Sequence, residues 1–361
     1  MKKLIIILFI SLAFQSARSQ SSFSLQLVGS GGGQTDNAVY HTSWSIGEPI
    51  TETGTTGGTT LSQGFQQGPM LFNLLWTGAT GFNWNTASNW TPETVPTADV
   101  DVVIGNVTND PIINEAMATP AVCKHLTLNS GAVLTIAEGK ALTINGTLTN
   151  NAGAAGIVVN SGGSLIQNTA NVEATIKRAI AGDDKYRLFI SPITEPVVAS
   201  GTSCFNGAYL DRYEESAGEW VRLATDENVV SSYGYSINFA SGSPELTFPG
   251  TLKTSPVSYT NLSYTAAAPG YGPGWNLMGN PYPCSINTAL LTAPTGMNAT
   301  AYVWDEAGSG NYLTLTMGAA SSTPGIIAPL QGFFLNTTSA SNSLVLANAA
   351  KEHGGTFYKN S

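Results

Sequence analysis

Adjacent carboxylates are the first residues of this chain whose type and spacing could do chemistry. They include Asp183-Asp184, Glu214-Glu215 and Asp305-Glu306. A glycosidase needs two carboxylates that face each other across a cleft, whereas neighbouring residues of a strand point to opposite faces. Carboxylates in hairpins can instead supply the hard oxygen ligands that Ca²⁺ prefers, although no DxDxDG spacing is present; a solvated turn is the alternative. The candidate calcium ligands are Glu214, Glu215, Asp305 and Glu306.

No catalytic motif stands out elsewhere in the sequence. The patterns GxSxG, HExxH, GxGxxG and the P-loop are absent, and the three histidines are far apart, at His41, His125 and His353. We therefore expect a protein that is not an enzyme and that needs no cofactor other than the possible calcium. An enzyme or accessory protein acting on polysaccharide is the competing class.

Tryptophans interleaved with asparagines suggest a surface for sugar. Trp76, Trp84 and Trp90 alternate with Asn83, Asn85 and Asn89. Flat rings stack on the apolar faces of pyranoses, and amides bond to hydroxyls. The alternative is that the rings are core residues and the asparagines form turns. With the tryptophans of the C-terminal half, the candidate glycan contacts are Trp76, Trp84, Trp90, Trp220 and Trp304.

The N-terminus has the three parts of a secretory signal peptide. Lys2 and Lys3 precede an apolar run over 4–14, and Ala17-Arg18-Ser19 is a small-x-small cleavage signal. The run is shorter than the roughly 20 residues that span a bilayer. We predict a signal peptide over residues 1–19 and an exported mature chain.

Charge and cysteine content narrow the class further. The chain has a formal net charge of −9, which argues against a nucleic-acid partner because such partners require a basic face. The three cysteines leave one pair and one remainder, or no pair. Cys204 and Cys284 are the candidate disulfide, with two buried free thiols as the alternative, and Cys123 is predicted to be a core thiol.

Apolar and polar residues alternate along most of the chain, which predicts an all-β protein. Residues 20–74 form an N-terminal β segment. Residues 75–182 combine the tryptophan-rich segment with a short motif that recurs every eight residues, at Leu126-Thr127-Leu128, Leu134-Thr135-Ile136 and Leu142-Thr143-Ile144. Such repetition is typical of a β-solenoid or roll, and a β-meander is the alternative.

The region 183–361 contains an internal duplication. Tyr186–Pro192 (YRLFISP) matches 275–281 (WNLMGNP), and further matches follow in the same order, with Tyr209 set against Tyr302. The copies cover about 186–250 and 275–348. Two copies predict an antiparallel β-sandwich that buries the apolar faces of both, or two small sandwiches side by side.

Several phrases resemble those of exported Bacteroidetes surface proteins. They are WSIGEP, WTGATGFNWNTASNW, GWNLMGNPYP, YVWDEAGSGNY, IIAPLQGFF and AAKEHGGTFYK. Members of that group often carry a C-terminal sorting domain for type IX secretion, which does not appear before Ser361. The resemblance implies a location at the outer-membrane surface or outside the cell, and it implies no activity.

These observations converge on a secreted or cell-surface display module of adhesin type. Its expected partner is an extracellular glycan or another surface protein. A purely structural spacer is a further alternative, and burial of all the tryptophans would support it.

Overall fold

The structure, a computed structural model, describes 31–36, 41–46, 53–56, 59–62, 73–114, 120–242, 244–254, 256–305, 310–318, 325–340 and 342–354. The predicted signal peptide and Glu306 lie outside these residues. The chain divides into two compact units, Met1–Met70 and Leu71–Ser361.

The prediction of an all-β protein is confirmed: the described residues contain strands and short 3₁₀ helices but no α-helix. The 3₁₀ helices are Ala87–Asn89, Gly153–Gly156, Thr288–Leu290 and Asn348–Ala350. Within the described part, no helical segment has the length and hydrophobicity to traverse a bilayer.

The residues of the first unit that the structure describes form two antiparallel hairpins. Their strands are β1 (Gly31–Asp36), β2 (His41–Ile46), β3 (Thr53–Thr56) and β4 (Thr59–Ser62).

The second unit begins with short strands that pair mostly in parallel. They are β5 (Leu74–Trp76), β6 (Trp90–Thr91), β7 (Val102–Ile104), β8 (Ile112–Ile113), β9 (Ala121–Cys123), β10 (Leu126–Leu128), β11 (Leu134–Ile136), β12 (Ala141–Ile144), β13 (Leu148–Asn150), β14 (Ile157–Val159) and β15 (Ser164–Ile166). The strands that carry the eight-residue motif, β10, β11 and β12, belong to three different sheets. Each pairs in parallel with one strand earlier and one strand later in the chain, unlike the neighbouring strands of a meander.

Two runs of eight strands follow. The first run, repeat 1, is β16 (Glu173–Ala179), β17 (Arg187–Phe189), β18 (Val197–Val198), β19 (Tyr209–Glu214), β20 (Glu219–Arg222), β21 (Asn228–Val229), β22 (Tyr235–Asn238) and β23 (Glu245–Thr251). The second run, repeat 2, is β24 (Val257–Leu262), β25 (Trp275–Gly279), β26 (Ser285–Asn287), β27 (Thr300–Asp305), β28 (Asn311–Thr316), β29 (Ile326–Ile327), β30 (Gly332–Asn336) and β31 (Asn342–Leu346). A last strand, β32 (Lys351–Glu352), pairs with β26.

The two repeats have the same pairing scheme. Each forms a four-stranded sheet, in the order β17-β22-β19-β20 in repeat 1 and β25-β30-β27-β28 in repeat 2. The remaining strands also correspond, since β18 pairs with β21 as β26 does with β29, and β16 pairs with β23 as β24 does with β31. Each copy therefore starts one strand earlier than the sequence phrases indicate.

The strand register also changes the predicted alignment of the two hairpins. Asp211 lies opposite Ser236 in repeat 1, and Tyr302 lies opposite Phe334 in repeat 2. Asp211 and Tyr302 therefore occupy equivalent positions in the two repeats. The sequence alignment of Tyr209 with Tyr302 is shifted by two residues. Two residues are one period of a strand, so the shifted alignment still places side chains on the same face.

The sheets join the parallel strands to the repeats. Strand β16 pairs in parallel with β14 and antiparallel with β23, so one sheet crosses the predicted boundary at residue 183. Near the chain end, the Lys351 Nζ donates hydrogen bonds to the Gln167 carbonyl at 2.8 Å and to the Asn168 Oδ1 at 2.9 Å. This contact links repeat 2 to the parallel strands.

Candidate functional site

A cavity of about 780 Å³, here called the aromatic cleft, lies between the four-stranded sheets of the two repeats. Nine aromatic residues line it: Tyr186, Tyr213, Trp220, Tyr271, Trp275, Tyr302, Trp304, Tyr312 and Phe334. The other lining residues are Leu188, Asp211, Arg222 and Ser236.

Strand alternation explains why these side chains converge. In β27, Tyr302 and Trp304 line the cleft, while the alternate residues Ala301 and Val303 are fully buried in the core of repeat 2. Successive residues of a strand point to opposite faces, so one face of the hairpin builds the core and the other builds the cleft. Strand β19 follows the same rule, with Tyr213 in the cleft and Leu210 in a core.

Phe334 is the ring at which the two repeats meet. Its centroid lies 5.1 Å from that of Tyr213 and 5.8 Å from that of Trp220, both in repeat 1. It also lies 5.8 Å from Tyr312 and 6.2 Å from Trp275, in its own repeat. All four contacts are edge-to-face, the arrangement that the charge distribution of aromatic rings favours.

One ion pair interrupts the aromatic lining. The Arg222 Nε donates to the Asp211 Oδ1 at 2.5 Å, and its Nη2 donates to the Oδ2 at 3.3 Å. The hydrogen bond that Arg222 donates to Asp211 raises the pKa of Arg222 above its ordinary value. The guanidinium also lies 4.8 Å from the ring centroid of Tyr209, a cation–π distance.

A buried hydroxyl in the lining has unused hydrogen-bonding capacity. The Tyr213 Oη is buried and makes no hydrogen bond within the described residues. Burial raises the pKa of Tyr213, and the nearby negative charge of Glu215 raises it further. Burial likewise raises the pKa of Tyr312 to about 12. Both phenols are therefore neutral donors near pH 7, and buried polar atoms of this kind usually have a partner.

A family model described as "Domain of unknown function (DUF8693)" matches residues 75–361, which contain the whole cleft. The chain belongs to the DUF8693 family. No curated protein and no solved structure matches it.

The five predicted glycan contacts fall into two groups, those that line the cleft and those that are buried. Trp220 and Trp304 line the aromatic cleft. Trp76, Trp84 and Trp90 are each only 1% exposed, so they present no face to a ligand. Trp90 packs edge-on against the other two at 4.9 and 4.8 Å. These three rings are core residues of the parallel strands. This agrees with the alternative interpretation of the tryptophan-rich segment, in which its rings are core residues.

Two of the predicted calcium ligands, Glu214 and Glu215, have other partners in the structure. Glu214 forms an ion pair with Arg212 at 2.5 Å. Glu215 accepts hydrogen bonds from Thr265 and Gly274. Asp305 ends β27, and no metal-like cluster of three His, Cys, Asp or Glu residues occurs in the part of the chain that the structure describes. The two adjacent glutamates thus point to different neighbours and do not converge on one ion.

The predicted disulfide is not formed, because Cys123, Cys204 and Cys284 are all free thiols. Cys204 packs against one hydrophobic core and Cys284 is fully buried in the other. Burial raises the pKa of Cys204, and it raises that of Cys284 to about 12. Each thiol is therefore a protonated core side chain near pH 7.

Sequence reasoning missed most of the cleft. The tyrosines, Phe334 and the ion pair of Asp211 with Arg222 carry no motif that marks them. The available signal was the alternation in YLDRYE and TAYVWD, where every second residue shares a face. That signal identifies a common face without showing that the faces of two repeats meet.

Proposed function

We propose that this chain is an exported surface protein, not an enzyme, and that it binds a neutral glycan in the aromatic cleft. The observation that carries the proposal is the convergence of nine aromatic rings from both repeats on one cavity. A cavity of about 780 Å³ lies within the range of ligand-binding pockets.

The chemistry of the lining fits a sugar. Apolar rings can stack on the C–H faces of pyranoses, and tyrosine hydroxyls, Ser236 and the ends of Arg222 can bond to sugar hydroxyls. A mostly apolar cavity with a few placed polar groups is the general form of a specific binding site. The Tyr213 hydroxyl adds a buried group whose hydrogen bond a ligand would complete.

Charge favours a neutral ligand over an acidic one. Among the described residues that line the cleft, Asp211 is the one anion and Arg222 the one cation, and they neutralise each other. The chain as a whole carries −9, and a negative protein repels polyanions over distances of about a Debye length. Polysaccharides rich in uronic acid should therefore bind more weakly than neutral ones.

Binding is favoured over hydrolysis for a related reason. Glycosidases of the common type use two carboxyl groups that flank the scissile bond. Asp211 is the one carboxylate among the cleft-lining residues that the structure describes, and it accepts hydrogen bonds from Arg222. The cleft so described can hold a sugar without supplying the second acid.

The rest of the chain suits a display role. We infer that the mostly parallel strands β5–β15 form a β-solenoid, and that the repeats form a single β-sandwich presented by it. Support comes from parallel pairing across successive turns and from the sheet that β16 continues into repeat 1. The signal peptide and the resemblance to Bacteroidetes surface proteins favour the outer-membrane surface or the medium as its location.

The test is a titration of the purified chain with neutral and acidic polysaccharides, followed by tryptophan fluorescence. Saturable quenching by a neutral polysaccharide is expected, and Trp220→Ala and Trp304→Ala should each weaken it roughly tenfold or more, the effect of a central aromatic contact. Phe82→Ala is the matched control, because Phe82 is 52% exposed and lies outside the cleft.

Other results would each redirect the proposal. Absence of binding to every polysaccharide would overturn it and favour the spacer or a protein partner. Equal loss of binding in Phe82→Ala would place the site elsewhere. Loss of binding in the presence of a chelator would support a calcium site at the predicted ligands Glu214, Glu215, Asp305 and Glu306.

A further inference from the structure

The loop before β25 brings an exposed ring to the aromatic cleft. Tyr271 lines the cleft and is 74% exposed, more than any other large hydrophobic side chain among the described residues. Hydrophobic stabilisation scales with the apolar area removed from water, so this ring contributes little to folding. A ligand in the cleft would cover it.

The hairpin of repeat 1 holds both ends of this loop through Glu215. The Glu215 Oε1 accepts from the Thr265 N–H at 2.8 Å and from the Gly274 N–H at 2.7 Å. Its Oε2 accepts from the Thr265 hydroxyl at 2.9 Å. Glu215 is only 5% exposed, and hydrogen bonds to an ionised, buried acceptor are among the stronger ones.

The ionised state of Glu215 follows from the same contacts. Burial by itself would raise the pKa of Glu215, but the hydrogen bonds donated by Gly274 and Thr265 lower it below the ordinary value. The carboxylate is therefore charged near pH 7 and keeps all three bonds to the loop.

A close backbone contact fixes the middle of the loop. A Cβ at Gly218, in the turn between β19 and β20, would lie 2.0 Å from the Pro269 carbonyl oxygen. A Cβ at Gly270 would lie 2.4 Å from the Gly218 carbonyl oxygen. Both glycines also have positive φ, at 64° and 67°, which residues with a side chain rarely adopt. The hairpin thus contacts the loop at Thr265, at Pro269 and Gly270, and at Gly274.

We propose that Glu215 is a positioning residue that sets the 265–274 loop so that Tyr271 meets the bound glycan. This inference rests on the proposed function of the cleft. Fixing a contact residue before binding reduces the conformational entropy that binding must remove. Glu215 touches no ligand itself and acts through Tyr271.

A double-mutant cycle tests this role. Tyr271→Ala and Glu215→Gln should each weaken binding of the neutral polysaccharide by roughly tenfold, about 1.4 kcal/mol. In the double variant the loss should be no larger than in Tyr271→Ala alone, because Glu215 has nothing left to position. The control Glu214→Gln makes the same change at the neighbouring residue, whose contact is with Arg212, and should leave affinity unchanged.

The alternative outcomes separate the two proposals. Additive losses, or full affinity in Glu215→Gln, would overturn the positioning role while the cleft remains a glycan site. Failure of the unsubstituted chain to bind would overturn both. If Glu215→Gln does not fold, as judged by circular dichroism, Thr265→Val removes one of the three bonds from the loop side. Thr265→Val should then weaken binding by a smaller factor than Glu215→Gln, and it should cause no further loss when combined with Tyr271→Ala. Additive losses in that double variant would equally overturn the positioning role.

Discussion

Two glycines of the 265–274 loop, Gly272 and Gly274, show how single residues shape the cleft. Gly274 has a φ of 83°, and a Cβ there would lie 1.9 Å from the Thr337 carbonyl oxygen. Gly272 has a φ of 86°, but a Cβ there would meet nothing within 4 Å. The two positions therefore share a backbone conformation and differ in the space around it.

This difference predicts unequal effects of the same substitution. Gly272→Ala should lower the free energy of unfolding by about 1–2 kcal/mol, the cost of left-handed backbone in a residue with a side chain. Gly274→Ala should lower it by roughly 3 kcal/mol or more, because backbone overlap adds to that cost. Urea denaturation of both variants measures the difference. Equal losses would show that the contact with Thr337 relaxes freely.

At the scale of the strand, alternation decides which residues carry stability. In β11, Leu134 and Ile136 are fully buried, whereas Thr135 between them is half-buried on the outer face. The same pattern occurs in β10. Apolar side chains at alternate positions thus form the interior of the parallel strands.

Substitutions at neighbouring positions of β11 should therefore differ sharply. Leu134→Ala is expected to lower the free energy of unfolding by about 2–5 kcal/mol, since it removes buried area and leaves a cavity. Thr135→Ala should lower it by less than about 1 kcal/mol, as for other partly exposed sites. Equilibrium unfolding in urea compares the two. A larger loss for Thr135→Ala would contradict the inward direction of Leu134.

At the scale of the whole second unit, continuous sheets connect its parts. The sheet β8-β11-β14-β16-β23 contains parallel strands and strands of repeat 1. One hydrophobic core contains residues from Leu74 to Leu252 and also Leu330 of repeat 2. Repeat 2 is joined through the rings at Phe334 and through Lys351. The aromatic cleft needs residues of both repeats and is complete in neither alone.

These connections predict cooperative unfolding of residues 71–361. Leu134→Ala, in the parallel strands, should shift two unfolding transitions to lower urea concentration. One is followed by the fluorescence of the cleft tryptophans and the other by far-ultraviolet circular dichroism. The physical reason is that two probes of one two-state transition coincide. Leu344→Ala, in repeat 2, should move both probes in the same way, because Leu344 is fully buried there. Separate transitions would show that the repeats unfold independently of the parallel strands.

The amino-acid sequence determined those features that depend on neighbours along the chain. Alternation predicted β structure, and repeated phrases identified equivalent strands such as β17 and β25, because both signals are local. Residue types also singled out Trp220 and Trp304, but they could not separate these rings from Trp76, Trp84 and Trp90. A tryptophan has the same chemistry in a core and in a cleft, and only its packing distinguishes the two.

Tertiary structure decided which strands became partners and which faces met. Register placed Asp211, rather than Tyr209, at the position of Tyr302. Packing left the thiols of Cys204 and Cys284 in separate cores, and it brought Glu215 of one repeat to the loop that carries Tyr271 of the other. These contacts join residues far apart in the chain, and their geometry depends on long-range pairing and core packing that no local pattern encodes.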